Sequence, residues 1–168
     1  GPPLEKRELR LAADGEIWVR GETLFQGYWE MGRLHLPVDR EGWFATGDLG
    51  CFCNEEGVAI VGRKDWQFIS GGENIQPEEI ERELRALPQI EEVVVIPIAD
   101  DEFGARPAAV ICSNDSTFDL KKLQNALRNR LPKYKIPIAL FSMDEFPKNG
   151  LKIDRKKIFE IIDKTRSK

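Results

Sequence analysis

The sequence is 168 residues long, and several features that define large protein classes are scarce in it. It has one histidine, His35, and three cysteines, Cys51, Cys53 and Cys112. Tetrahedral zinc takes four nitrogen or sulfur ligands, so the Cys51-x-Cys53 pair has too few companions and no metal site is expected. An odd cysteine count without a secretory leader predicts reduced thiols in a cytoplasmic protein, packed buried or half-buried on strands. No apolar run approaches the roughly 20 residues that a membrane-spanning helix needs. No signal peptide opens the chain, and the initial Gly-Pro-Pro without a start Met reads as the scar of a cleaved tag. The chain is then expected to be a piece cut from something longer. A basic arm is also missing. The 25 Lys and Arg residues are mixed along the chain with 29 Asp and Glu, for a net charge of −4, so nucleic acid is not an expected partner. No internal repeat or low-complexity segment is visible.

What is there suits a folded, well-solvated protein: 41% apolar and 32% charged residues, enough for one ordinary domain or two small ones. Residues 9–62 read as short strands joined by tight turns. "EIWVRGE" is apolar at Ile17 and Val19, with a turn at Asp14-Gly15, and "TLFQGYW" follows. "GWFATGDLGCFCNEEGVAIVGR" reads as a hairpin turning at Asn54-Glu55-Glu56-Gly57. No helical period fits, so this part is expected to be a small all-β unit.

Beyond residues 63–66 helices and strands alternate. Pro77 opens a helix at a position where its missing N–H costs nothing. Glu78, Glu79 and Glu81 fall in the first turns, favourable to the helix dipole. Ile80, Leu84 and Leu87 repeat at helical spacing, and Pro88 ends the element. "IEEVVVIPIAD" and "RPAAVICS" read as strands. "TFDLKKLQNALRNRL" reads as an amphipathic helix capped by Thr117 or Asp119. "IPIALFSM" reads as a third strand and "DRKKIFEIIDK" as a closing helix. The fold class is therefore α+β. Its predicted parts are a β-rich unit over 1–62, a junction over 63–66, and an α+β domain over 67–168 with a three-stranded sheet flanked by helices.

Four short motifs carry chemistry, each with an ordinary alternative. Asp48, in "TGD", either caps its own turn or offers a carboxylate to a vicinal diol such as a ribose. Gly71-Gly72 is either a hairpin tip or a stretch of bare backbone past which a thin ligand can slide. Lys152, on a loop before the last helix, is either solvated or a compact positive charge for a phosphate or carboxylate. Arg63-Lys64-Asp65 is either a solvated linker or a polar pivot between domains.

In chain order, "GEIWVRG", "GYW", "GWFATGD", "IVGRKDWQFISGGENIQPEEIE" and "GLKIDR" resemble the C-terminal part of the acyl-adenylate-forming (AMP-binding) acid–CoA ligases. The likeness covers nearly the whole chain, and the block from Gly62 to Glu81 is its most specific part. Family members activate a carboxylate with ATP and Mg²⁺ as an acyl-adenylate. They then rotate the C-terminal domain so that the thiol of CoA displaces AMP. The resemblance implies that Asp48 binds the ribose hydroxyls, that Arg63 reaches the ribose or phosphate, and that Ile60 lies beneath the adenosine. It makes Asp65 the hinge of a mobile C-terminal domain. Ser70, Gly71 and Gly72 would face the pantetheine arm of CoA, and Lys152 would contact the α-phosphate and the attacking carboxylate. No residue is implied as a metal ligand. The family places Gly directly before this lysine, whereas Leu151 stands between Gly150 and Lys152 here; Lys148 is the alternative.

The family's Ser/Thr/Gly-rich triphosphate loop is not in this sequence. The chain alone is therefore expected not to make an acyl-adenylate without the large N-terminal domain. Two further readings stay open. One is a fatty-acid or aryl-acid–CoA ligase, or an adenylation domain that loads a carrier protein. The other is a binding module without catalysis, against which stand the retained Asp48, Arg63, Gly71-Gly72 and Lys152.

Overall fold

The computed structural model describes residues 5–53, 57–113, 115 and 118–166. The expected turn at Asn54–Glu56 and the candidate cap Thr117 lie outside them. The chain divides into two compact units, Gly1–Trp66 and Gln67–Lys168.

The first unit is built on strands β1 (Arg7–Leu11), β2 (Glu16–Gly21), β5 (Phe44–Phe52) and β6 (Val58–Arg63), which form an antiparallel sheet in the order β1-β2-β5-β6. A small hairpin, β3 (Tyr28–Glu30) with β4 (Arg33–His35), stands apart from that sheet. Among the described residues, Ile17, Trp43 and Leu49 are the large apolar side chains buried in this unit. Arg10 and Arg20 lay their guanidinium groups over the Trp43 ring, 4.3 and 4.6 Å from its centroid, contacts that serve as packing as well as charge. The cysteine expectation holds in part: Cys51 is exposed near the end of β5, Cys53 lies just beyond the strand and is half-buried, and Cys112 is buried. The strand ends too early, at Phe52, for the pair to be packed inside the sheet. A 3₁₀ turn, Lys64–Trp66, none of whose residues is buried, closes the unit.

The second unit opens with a tight hairpin, β7 (Phe68–Ser70) and β8 (Glu73–Ile75), turning at Gly71-Gly72. Helix α1 (Pro77–Arg85) follows with Pro77 at its first position. Strands β9 (Ile90–Asp100) and β10 (Gly104–Ser113) pair antiparallel, and β11 (Ala139–Ser142) adds parallel to β10. Between them lies α2 (Leu120–Leu127), where the Asp119 carboxylate accepts the Lys122 backbone N–H at 2.8 Å. Asp119 is thus the cap, and the helix is shorter than its apolar pattern suggested. A two-residue-a-side hairpin, β12 (Lys148–Asn149) and β13 (Lys152–Ile153), leads into α3 (Arg155–Arg166).

Alternation along β9 sends its side chains to both faces. Val93 and Val95 join Ile80, Leu84, Leu123 and Leu127 from α1 and α2 in one core cluster. Val94 and Ile96 join Phe146, Ile158 and Ile162 in the other, so α3 covers the opposite face. A strand buried on both faces reads as the unbroken apolar run seen in the sequence. Burying one large aliphatic side chain contributes about 1.5–3 kcal/mol, so two such layers make this unit the better-anchored half.

Candidate functional site

In the first unit the TGD turn and the end of β6 are held together by charge. The register sets Asp48 opposite Arg63. Arg63 donates to Asp48 Oδ1 at 3.0 Å, to the Thr46 carbonyl at 3.1 Å and to Asp65 Oδ2 at 2.9 Å. Gly47 makes room for this guanidinium: a Cβ there would meet Arg63 Nη2 at 2.8 Å, and its φ of +71° is one that glycine adopts freely. Thr46 donates its hydroxyl to the Ile17 carbonyl at 2.7 Å and accepts the Asp48 N–H at 3.1 Å. The bonds to Asp65 and then Asp48 raise the Arg63 pKa, which keeps it charged throughout.

Lys64 anchors the same turn from behind. Its ammonium donates to Asp14 Oδ2 at 2.5 Å and to Glu16 Oε2 at 2.9 Å, while Glu16 Oε1 accepts the Gly47 N–H at 2.9 Å. These bonds, Asp14 foremost, push the Lys64 pKa well up, and the same ammonium pulls that of Asp14 down. Asp65 is exposed on the 3₁₀ turn beside Arg63, with 69% of its side-chain surface open. Ile60 is 70% exposed, unusual for an isoleucine on a strand. Asp48, Arg63 and Asp65 are thus one cluster, and Ile60 lies on the same strand as Arg63.

The second unit carries the other candidates on two hairpin turns. Gly71 and Gly72 both have positive φ, 58° and 86°. A Cβ on Gly71 would strike the Phe103 ring at 2.6 Å, and the Gly71 N–H donates to the Phe103 carbonyl at 3.0 Å. A Cβ on Gly72 would meet nothing within 4 Å. Gly71 therefore leaves room for Phe103, and Gly72 faces open space. Ser70 is 2% exposed, and its hydroxyl has no hydrogen-bond partner among the described residues. Lys152 is exposed just past the Gly150-Leu151 turn, and among the described residues it makes no ion pair. Lys148, the alternative, is paired with Glu92 at 3.3 Å.

Glu81, expected only as a favourable charge in the first turns of α1, is in that helix but fully buried. Its Oε1 accepts from Arg155 at 2.6 Å and from the Val95 N–H at 2.8 Å; its Oε2 accepts from Arg155 at 2.6 Å and from Arg85 at 2.9 Å. A signal was available. Pro77, Ile80 and Leu84 define the buried stripe of α1, and Glu81 occupies a position on that stripe which an apolar residue would normally fill.

Among known proteins, residues 79–152 match the family described as the AMP-binding enzyme C-terminal domain. The 2-succinylbenzoate–CoA ligase of Salmonella typhimurium is 41% identical over 157 residues, which are 93% of this chain and 34% of that protein. Two solved structures of o-succinylbenzoate CoA synthetase from Bacillus subtilis resemble the fold. One, in complex with the acyl-adenylate intermediate, has a TM-score of 0.85 at 32% identity and covers 94% of this chain and 34% of that one. The other, with ATP and magnesium ion, has a TM-score of 0.83 at 31% identity and covers 95% and 35%. The chain thus spans about a third of the length of the proteins it matches. It belongs to the AMP-binding enzyme family and corresponds to the C-terminal part of its members.

Proposed function

We propose that the protein carrying this chain is an AMP-forming acid–CoA ligase whose acid is o-succinylbenzoate, a cytoplasmic enzyme of menaquinone synthesis. The observation that carries the reading is the 41% identity to a 2-succinylbenzoate–CoA ligase across 93% of the chain. The stretches "ADDEFGARP", "IQPEEIER" and the short "KNGLKI" end point the same way. The reaction joins a carboxylate to ATP, releasing pyrophosphate and leaving an acyl-adenylate. The CoA thiol then attacks the acyl carbon and AMP departs.

Adenylation brings two anions together, so the repulsion between carboxylate and α-phosphate must be cancelled where the new bond forms. Lys152 would supply that charge. It is exposed and without an ion pair among the described residues, whereas Lys148 is already engaged with Glu92. Arg63 takes Oδ1 of Asp48, and no other hydrogen bond reaches that carboxylate among the described residues. Oδ2 is therefore available to ribose hydroxyls, with Arg63 fixing the carboxylate's direction. The exposed Ile60 offers an apolar surface to the adenosine. Magnesium, when bound, screens the triphosphate; no residue of this chain is assigned to it. Thioester formation requires a different surface at the same centre, which rotation about Asp65 would bring in. Ser70, Gly71 and Gly72 would then lie along the pantetheine arm, with Gly72 as the open position.

ATP–pyrophosphate exchange on the full-length protein, with o-succinylbenzoate beside fatty and other aryl acids, tests the reading. Exchange that depends on o-succinylbenzoate supports it. Exchange only with another acid keeps the ligase chemistry and removes the substrate. Pyrophosphate release by the chain on its own would overturn the division of labour proposed for the two domains.

A further inference from the structure

The hairpin that carries Lys152 is too small to place it unaided: β12 and β13 share only the pairs Lys148↔Ile153 and Asn149↔Lys152. Its base is pinned by the Asp154 N–H, which donates to the Pro147 carbonyl at 2.8 Å, and by the Asp154 carboxylate, which caps α3 by accepting the Lys157 N–H at 3.0 Å. The next residue, Arg155, is only 17% exposed along its side chain and makes a bidentate pair with the buried Glu81. Each Glu81 oxygen takes two donors, so the carboxylate has one orientation in which everything is satisfied.

Helix α1 packs on one face of the sheet and α3 on the other, and each is already seated by its own apolar cluster. Strand β9 lies at the sheet's edge, and Glu81 accepts one of its N–H groups, that of Val95. Arg155 therefore reaches Glu81 at this edge from the other face. What the strap adds beyond the two cores is a fixed origin, three residues after Lys152, for the segment bearing the lysine. We infer that the Glu81–Arg155 pair is the positioning element for Lys152 in the adenylate-forming half-reaction, an inference that rests on the function proposed above.

The test compares Arg155→Lys, Glu81→Gln, Lys152→Ala and the double variant Arg155→Lys/Lys152→Ala in the full-length enzyme. Lysine keeps the charge but loses the fork, and glutamine keeps the shape but loses the charge. Pyrophosphate exchange and thioester formation from supplied acyl-adenylate and CoA are measured separately. A positioning role predicts that Arg155→Lys lowers kcat for exchange about tenfold more than it lowers thioester formation, with little change in KM for ATP. In the Lys152→Ala background the same change should cost nothing further, since residues acting as a unit are not additive. Equal losses in both half-reactions, full additivity, or unaltered exchange would each overturn the role. If Arg155→Lys does not fold, Glu81→Gln decides by the same criteria. Wild-type exchange that survives Lys152→Ala would instead remove the lysine from the proposed function, and this inference with it.

Discussion

The two units solve the same problem, fixing a polar side chain in space, by different means. In the first, Asp48 and Arg63 are oriented by partly exposed ion pairs on a sheet with few buried apolar residues, and Tyr28, Trp29, Leu34, Phe52 and Ile60 remain exposed. In the second, the segment before Lys152 and the helix after it hang from two apolar layers and a saturated buried carboxylate. If, as proposed, the first unit serves as a fixed floor within a larger domain, shallow charge pairs suffice there; if the second unit is the part that rotates, it has to bring its own rigidity. All four tryptophans, Trp18, Trp29, Trp43 and Trp66, lie in the first unit, and among the described residues the three α-helices lie in the second. Tryptophan fluorescence and helical circular dichroism therefore report on the two units separately.

The largest effect expected is functional. Lys152→Ala removes the one charge proposed to meet the reacting anions and should lower o-succinylbenzoate-dependent exchange about 10²–10³-fold, the usual scale for a single stabilising donor. Lys148→Ala, which breaks only the pair with Glu92, should fall far short of that. Reversal of the two would assign the role to Lys148. Next comes the core of the second unit. Leu84 is fully buried, and Leu84→Ala should destabilise by about 2–5 kcal/mol. The helical transition in urea should move to lower denaturant while the tryptophan transition stays in place. If both move together, the units unfold as one and the contrast between them fails.

Much of this was legible in the sequence because it depends on local pattern. The apolar run of β9, the alternation that buries it on both faces, Pro77 at the start of α1 and the Gly71-Gly72 turn follow from short-range rules, and the α+β class follows from them. The long-range pairings were not legible. Nothing local ties Lys64 to Asp14 or Arg155 to Glu81, which lie far apart in the chain and meet only when the sheets form. The burial of Glu81 was not foreseen, because its charge was weighed there before its place on the apolar stripe of the helix. Phe103, which packs where a Gly71 side chain would be, was missed because the two turns meet in space rather than in sequence.

That contact gives the third prediction. Gly71→Ala places a methyl into the Phe103 ring and forces alanine to a positive φ, which costs about 1–2 kcal/mol from the backbone alone. The loss should appear in the helical transition and not in the fluorescence. Gly72→Ala carries the backbone cost without the collision. If the proposed pantetheine path is right, Gly72→Ala should raise KM for CoA despite its milder effect on stability. Unchanged CoA kinetics would leave Gly72 a turn residue and nothing more.

The smallest effect should come from the charges of the first unit, and its sign is fixed. The Asp14 pKa is lowered chiefly by Lys64, that of Glu8 by Arg20, and that of Asp39 chiefly by backbone N–H groups. In each case the folded state holds its proton less tightly than the unfolded chain. The stabilisation is therefore fully present above the unfolded carboxylate range and is lost as pH falls through the lowered folded values. The tryptophan transition should accordingly weaken in acid. Lys64→Met removes Asp14's principal partner and lets that pKa return toward its ordinary value. The variant should be slightly less stable near neutrality and should lose less than the wild type on acidification. Added salt should narrow the part of the difference that comes from the exposed Lys64–Asp14 pair, whereas Glu16, the other partner of Lys64, is buried and little screened. An acid limb identical in both proteins would mean that the Lys64–Asp14 pair adds nothing in solution, and that the turn before Trp66 is held by Arg63 with its two aspartates instead.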